Sequence, residues 1–184
     1  MKTIKKKYKI IYADCPWKYN DRLDLQGEGA ILHYPTMSVE ELCKLPITEI
    51  SDTDCILFFW TTMPMLEVAF KVINAWGFKY KTCGFCWVKT NPKAGTIFKG
   101  IGRWVMGNSE LCLLCTKGKP KRIDCNVANL TISHLQEHSK KPDIIRDKII
   151  QLVGDIPRIE LFARQKTEGW DVWGNEVKSD IELS

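Results

Sequence analysis

The sequence predicts an α/β protein built on a mostly parallel sheet with helices on both faces, and three observations carry that prediction. Residues 8–13 and 55–60 are nearly unbroken apolar runs, the pattern of strands covered on both sides. Between strand candidates lie stretches of helical spacing, opened by a capping residue or a proline and closed by glycine. The 184 residues, 45% hydrophobic and 27% charged, suit one domain with a buried core over residues 1–184, whose Lys-rich start and last few residues are expected to be loose.

Taken in order, the first strand is 8–13. Ser38 with Glu41 three places on is a capping box that opens a short helix, which Pro46 must stop. After the strand at 55–60, Pro64 opens a helix on which Leu66, Phe70 and Ile73 recur at helical spacing, and Gly77 closes it. Residues 78–88 and 110–116 read as strands, 142–153 as a helix closed by Gly154, and 158–163 as the last clear strand. Two stretches, 18–37 and 91–108, mix glycine, proline and polar residues without periodicity, and loops of that length in a compact domain usually carry function.

Several function classes are set aside by composition. The longest apolar run, 55–60, is far too short to span a bilayer, and the Lys-rich start lacks the apolar stretch and cleavage site of a secretory signal. A cytoplasmic protein is expected, with its eight cysteines as reduced thiols in buried strands. The net charge of +5 is concentrated in Lys2, Lys5, Lys6, Lys7 and Lys9 and in Lys117, Lys119, Lys121 and Arg122. Both clusters suit phosphates, and both equally suit an ordinary solvated surface.

Cys83-x-x-Cys86 and Cys112-x-x-Cys115 have the spacing of a four-thiolate zinc site. Side chains alternate along a strand, so residues three apart point to opposite faces unless a turn intervenes. Gly84 permits such a turn in the first pair, but 110–116 contains no turn former, so no metal site is expected. Gly100-Ile101-Gly102 lacks the strand-turn-helix setting of a dinucleotide fingerprint.

The first strand ends in Asp14-Cys15-Pro16-Trp17, which puts a carboxylate, a rigid turn and a large aromatic at the carboxyl edge where open α/β sheets bind ligands. Proline fixes the turn and so aims the carbonyls of Asp14 and Cys15, while Trp17 offers a flat apolar face. Such a set fits an aminated planar ring. The amine of adenine is a poor nucleophile because its lone pair is delocalised, and two acceptors holding its hydrogens favour a pyramidal nitrogen that can take a methyl group. An extruded base can stack on the indole. The plainer reading is a strand end with a buried Trp and a turn proline.

Ordered motifs along nearly the whole chain resemble the adenine-N6 methyltransferases of the MT-A70 family, which includes the catalytic subunit of the eukaryotic messenger-RNA adenosine methyltransferase, with phage and bacterial members nearest in appearance. They are Tyr12-Ala13-Asp14-Cys15-Pro16-Trp17, His33-Tyr34-Pro35-Thr36-Met37, Trp87-Val88-Lys89-Thr90-Asn91, Glu110-Leu111-Cys112-Leu113-Leu114, Gly118-Lys119-Pro120, His138-Ser139-Lys140-Lys141-Pro142-Asp143, Ile159-Glu160-Leu161-Phe162-Ala163-Arg164 and Trp173-Gly174-Asn175-Glu176. The resemblance implies a Rossmann-like, S-adenosylmethionine-dependent methyltransferase fold in permuted order, with the catalytic motif first and the main cofactor motifs last.

It also implies the site. Asp14, Cys15, Pro16 and Trp17 form the catalytic motif, in which Cys15 stands where the family usually has proline; a backbone carbonyl is still supplied there, at some loss of rigidity. Lys141 falls near the methionine carboxylate of the cofactor, Asp14 within reach of its amino group, and Arg164, Asn175 and Glu176 near its ribose and purine. Trp17, Tyr34 and Trp60 line the acceptor side and Glu110 lies near the entering base. Each has a plainer reading: Tyr34 anchors a loop, Trp60 is core, and the charged residues are surface. His33 and His138 come with no ligand set or nucleophile and receive no catalytic role.

The implied activity is methyl transfer to the N6 amine of adenine in a nucleic acid, with DNA favoured and RNA as the alternative. A binding module of the same fold that has lost catalysis and supports another subunit is the competing class, and Cys15 is the one motif change that argues for it. Homodimeric and heterodimeric assemblies both stay open, and no membrane contact is expected.

Overall fold

The computed structural model describes residues 6–18, 35–100, 102, 104–136 and 139–183. In chain order its elements are β1 (Tyr8–Asp14), α1 (Val39–Lys44), α2 (Ile47–Ile50), β2 (Ser51–Thr61), a 3-10 turn (Met63–Met65), α3 (Leu66–Ala75), β3 (Lys79–Thr90), β4 (Ser109–Lys117), β5 (Leu130–His134), α4 (Ile144–Val153), β6 (Arg158–Leu161) and β7 (Asp171–Trp173). No helix among the described residues is long and apolar enough to cross a membrane.

The strands form one seven-stranded sheet in the order β5-β3-β4-β2-β1-β6-β7. Every neighbouring pair is parallel except those made by β4, which runs against both β2 and β3. The reversal follows from connectivity: β3 and β4 are joined by a loop with no crossover helix, and two strands joined that way lie antiparallel.

Strand alternation sorts the side chains into two cores. Ile11 and Ala13 of β1 and Cys55, Leu57 and Phe59 of β2 face α1, α2 and α3, meeting Leu42, Ile47, Ile50, Ala69, Val72 and Ile73. Ile10 and Tyr12 with Ile56, Phe58 and Trp60 face α4, meeting Ile145, Ile149 and Val153. Both faces are therefore covered, which is why these strands read as unbroken apolar runs. Each fully buried Ile or Phe stabilises by about 1.5–3 kcal/mol, so β1 and β2 anchor the sheet. The β1–β2 register shifts between Tyr8 and Ile10, and Tyr8 packs in the same core as Ile11.

The helix signals held, with shifts at the edges. Ser38 Oγ accepts the Glu41 N–H at 3.2 Å, and the Glu41 carboxylate accepts the Ser38 N–H at 2.8 Å, completing the capping box. Gly77, at φ 80°, ends α3 in a left-handed conformation that glycine adopts freely. Pro64 sits in the 3-10 turn before α3, α4 begins at Ile144 instead of 142, and β6 stops at Leu161 because Phe162 turns to φ 61°. β5 and β7 were not foreseen: β5 exposes Leu130 and Ile132, and β7 has three residues, too few for a pattern.

Cys112 packs in the α4-side core and Cys115 in the opposite core, as alternation requires. In β3 the register shifts between Cys83 and Phe85, around Gly84, so that glycine makes a bulge within a continuous strand.

Six strands point their carboxyl ends to one edge of the sheet, and β4 brings its amino end there: Leu111 pairs with Thr61 and Glu110 with Trp87. Described members of both basic clusters lie at the other edge, while Lys2 and Lys5 fall outside the described residues. Lys117 pairs with Cys55 and donates to Ser51 Oγ at 2.8 Å, the Lys119 N–H donates to Asp54 at 2.7 Å, and Lys6 pairs with Asp171 at 2.5 Å.

Candidate active site

Asp14 is the last residue of β1, at the edge where six strands end. The chain then turns tightly: the Trp17 N–H donates to the Cys15 carbonyl at 2.9 Å, the Met37 N–H donates to the Pro16 carbonyl at 2.8 Å, and the Lys18 N–H donates to the Met37 carbonyl at 3.2 Å. Met37, distant from the motif in sequence, thus ties it down.

Four alternating charges meet beside this turn. Lys141 Nζ lies 2.7 Å from Asp14 Oδ2 and 3.2 Å from Glu110 Oε2, donates to the Ser139 carbonyl at 3.2 Å, and sits 5.7 Å from the Trp60 ring centroid. Lys89 pairs with the other oxygen of Glu110. The row Lys89, Glu110, Lys141, Asp14 thus joins β3, β4, the segment before α4, and β1.

Burial separates these groups chemically. It pushes the Asp14 carboxyl above its ordinary range, against the pull of Lys141, although 33% of its side chain still reaches solvent. Burial alone would also raise Glu110, but Lys141 and Lys89 outweigh it and hold that carboxyl below its ordinary range. Burial works to discharge Lys141, but Asp14 and Glu110 prevail and keep it protonated. Two carboxyls with environments that push them apart can take different roles. The Cys15 thiol is raised far above its usual range, first by burial and then by Asp14, which disfavours the thiolate a nucleophile needs.

A cavity opens beside Asp14, lined by Tyr12, Ser139, Lys141, Glu160, Phe162, Arg164 and Glu176 among others. Its floor is a buried pair in which Arg146 donates to both Glu160 oxygens at 2.8 and 2.7 Å and also to Asp143 at 2.9 Å. The Tyr12 hydroxyl accepts the Trp60 indole N–H at 2.7 Å under the same wall. Phe162 holds a left-handed conformation unusual for its residue type and packs edge-on against Trp173. The Ala163 N–H donates to the Trp173 carbonyl at 3.0 Å, and a Cβ at Gly174 would fall 2.2 Å from the Ala163 carbonyl oxygen, so that crossing requires glycine. The crossing sets Glu176 against Arg164, Oε1 to Nε 3.1 Å, with Asn175 exposed in the same turn.

The structure therefore gathers Asp14, Glu110, Lys141, Arg164 and Glu176, with Asn175 adjoining, and parts from the sequence reading at two aromatics. Trp17, expected to stack against the acceptor ring, is only 4% exposed: it packs edge-on against Phe59 in the core and leaves no open face. Its indole N–H is buried with no partner among the described residues. Trp60, expected on the acceptor side, is fully buried, with the Lys141 ammonium over its ring. Tyr34, His33 and His138 lie outside the described residues. Sequence reasoning gave no role to Lys89, Arg146, Glu160 or Tyr12. The available signal was charge out of place: Glu160 inside the apolar strand β6 and Arg146 on the buried face of α4, where a charge needs a partner.

A family model described as MT-A70 matches residues 8–176. A relative named Type II methyltransferase M.MunI, from a Mycoplasma species, is 36% identical over 94% of this chain and 79% of its own length. The N(6)-adenosine-methyltransferase catalytic subunit METTL3 of Homo sapiens is 32% identical over 93% of this chain, and the N(6)-adenosine-methyltransferase MT-A70-like of Arabidopsis thaliana is 30% identical over 91%. Those matches span only 28% and 23% of the two eukaryotic proteins.

Proposed function

This chain belongs to the MT-A70 family, and from that premise we propose that it is an enzyme transferring a methyl group from S-adenosylmethionine to the exocyclic N6 amine of adenine in a nucleic acid, with DNA as the favoured acceptor. The observation that carries the reading is the meeting of Asp14 and Lys141 at 2.7 Å: residues from the two ends of a permuted motif order converge at one cavity. The preference for DNA rests on coverage. The likeness runs through 79% of the Type II methyltransferase but only 28% of the N(6)-adenosine-methyltransferase subunit.

The donor set fits the cofactor. Asp14 and Lys141 offer an acceptor and a cation side by side, which suits a head group carrying both an ammonium and a carboxylate. Arg164, Asn175 and Glu176 supply donors and acceptors for a ribose and a purine, and Phe162 an apolar wall. When bound, S-adenosylmethionine supplies an electrophilic methyl carbon. Asp14 and the Cys15 carbonyl hold the two hydrogens of the adenine amine, which frees its lone pair as the nitrogen becomes pyramidal. The Cys15 carbonyl already accepts one backbone hydrogen bond and keeps a second lone pair for this. Methylated nitrogen must lose a proton, and Asp14, whose proton affinity burial has raised, is the acceptor at hand. Glu110 keeps Lys141 in place, and Lys89 keeps Glu110 ionised.

Purified chain incubated with matched DNA and RNA oligonucleotides, followed by nucleoside mass spectrometry, tests the reading. N6-methyladenine in DNA is the expected product. Product in RNA alone would move the substrate to RNA, and cofactor binding without any product would make the chain an inactive partner, the reading that Cys15 favours.

A further inference from the structure

The loop between β3 and β4 is a built finger that the charge row and the cavity do not use. The Lys89 N–H donates to the Asn108 carbonyl at 2.9 Å and the Phe98 N–H to the Lys89 carbonyl at 2.8 Å, which closes its base. Further out, Gly100 and Gly107 exchange backbone hydrogen bonds at 2.8 and 3.2 Å. The pinch needs glycine: a Cβ on Gly100 would sit 2.5 Å from the Gly107 carbonyl oxygen, and one on Gly102 would sit 2.0 Å from that of Val105. The finger then presents Trp104 at 97% exposure, Val105 at 77% and Met106 at 63%. A fold that specifies its backbone this tightly in order to leave three large apolar side chains in water has a use for them.

Two observations identify the occupant. The finger rises from the carboxyl end of β3 and the amino end of β4, so it shares the sheet edge of Asp14 and is rooted at Lys89 and Glu110. Between Asn91 and Ser109 the sequence carries Lys93, Lys99 and Arg103 and no Asp or Glu. A finger carrying Lys93 and Lys99 with an aromatic tip, beside a site that must receive an extruded base, matches a nucleic acid: the lysines meet phosphates while the tip takes the face of an unstacked base. A second copy of the chain docking finger to finger would set like charges against each other.

We propose, on the premise that the acceptor is a nucleic acid, that Trp104 with Val105 and Met106 forms a wedge that stacks against a base next to the target adenine and holds open the gap its extrusion leaves. Trp104 reports on its own state. The other tryptophans of the chain are buried or half-buried, so neutral acrylamide quenches Trp104 selectively, and Trp104→Phe identifies its signal.

The test measures that quenching at low salt with and without an adenine-containing duplex oligonucleotide, together with duplex affinity and cofactor affinity by calorimetry. The duplex is expected to shield Trp104. Trp104→Ala is expected to weaken duplex binding about tenfold, as for the loss of one base–aromatic stack, with Trp104→Phe retaining most of the affinity. Cofactor affinity and the melting temperature stay unchanged. A duplex that binds while Trp104 remains open to acrylamide overturns the wedge, as does shielding that appears on raising protein concentration without nucleic acid, which would make the finger a contact between copies. Methylation with an unshielded Trp104 sinks the wedge alone; a shielded Trp104 without methylation sinks the activity alone; a chain that binds no nucleic acid sinks both.

Discussion

Two arginine–glutamate pairs line the same cavity and are built in opposite ways. Arg146 and Glu160 are bidentate, 9% and 10% exposed, and held further by Asp143. Arg164 and Glu176 meet through one nitrogen at 3.1 and 3.3 Å, with side chains 41% and 45% exposed. The residue types are the same, and solvent makes the difference. The buried pair cannot exchange partners without stranding a charge, so it is scaffold. In the exposed pair Glu176 can trade its partner for a ligand at little cost, so it is suited to grip. The charge row lies between these extremes, with Lys141 9% exposed and Asp14 33% exposed toward the cavity.

The contrast is broken most severely at the buried pair. Arg146→Met should lower stability by about 3–5 kcal/mol, because Glu160 is left buried without its cation. Chemical denaturation reads the loss, and Arg146→Met combined with Glu160→Gln should recover much of it. A single variant within 1 kcal/mol of the parent, by the same measure, would show the pair to be solvated and the contrast false.

Asp14→Asn comes next. It keeps shape and removes charge, so single-turnover methyl transfer at saturating cofactor should fall by roughly 10²–10³ while nucleic-acid affinity changes little. Near-normal turnover would reduce Asp14 to a strand-end residue. The pH profile sharpens the point. Because the Asp14 carboxyl is raised above 3.8, the acid limb of the rate should fall at a pH above that value and vanish in Asp14→Asn. Stability runs the other way for this group: the folded state binds the proton more tightly, so its contribution is full below 3.8 and is lost as pH rises through the raised value. Glu110, held below 4.5, contributes above that pH and loses its contribution as pH falls.

Glu176→Ala should weaken S-adenosylmethionine binding by roughly 1.5–3 kcal/mol, the contribution of one charge-assisted hydrogen bond to a ribose hydroxyl. Calorimetry showing unchanged affinity would remove Glu176, and with it Asn175, from the cofactor end. The smallest effect is expected from Glu176→Gln on the unliganded chain: about 0–1 kcal/mol of stability, as for other exposed ion pairs. A loss as large as that of Arg146→Met in the same assay would erase the distinction between scaffold and grip.

The long elements were legible because each repeats its signal. β1 and β2 are apolar on both faces, and α1 carries a capping box that the structure completes hydrogen bond by hydrogen bond. β5 and β7 were not legible, since an edge strand exposing Leu130 and Ile132 and a three-residue strand carry no period. In the site, motif resemblance led to Asp14, Lys141, Arg164 and Glu176, which line one cavity. It did not foresee how deeply Trp17 and Trp60 are buried. A large aromatic at a strand end serves a core as readily as a ligand, and only the neighbours, Phe59 for one and Tyr12 with Lys141 for the other, decide between them. Arg146 and Glu160 went unassigned because a charge in an apolar segment announces a partner without saying which one.

The position of β1 between β2 and β6 has a consequence for how the protein is made. When β2 has left the ribosome, one side of β1 can pair at once, but the other must wait for Arg158–Leu161. At about 5–20 residues per second that interval is roughly 5–20 s, during which the strand carrying Asp14 keeps an apolar, unpaired edge. The nascent chain is then a template for wrong pairing and a natural client for chaperones. Slowing translation between Thr61 and Arg158 should cost yield of folded protein, whereas slowing it after Trp173 should not.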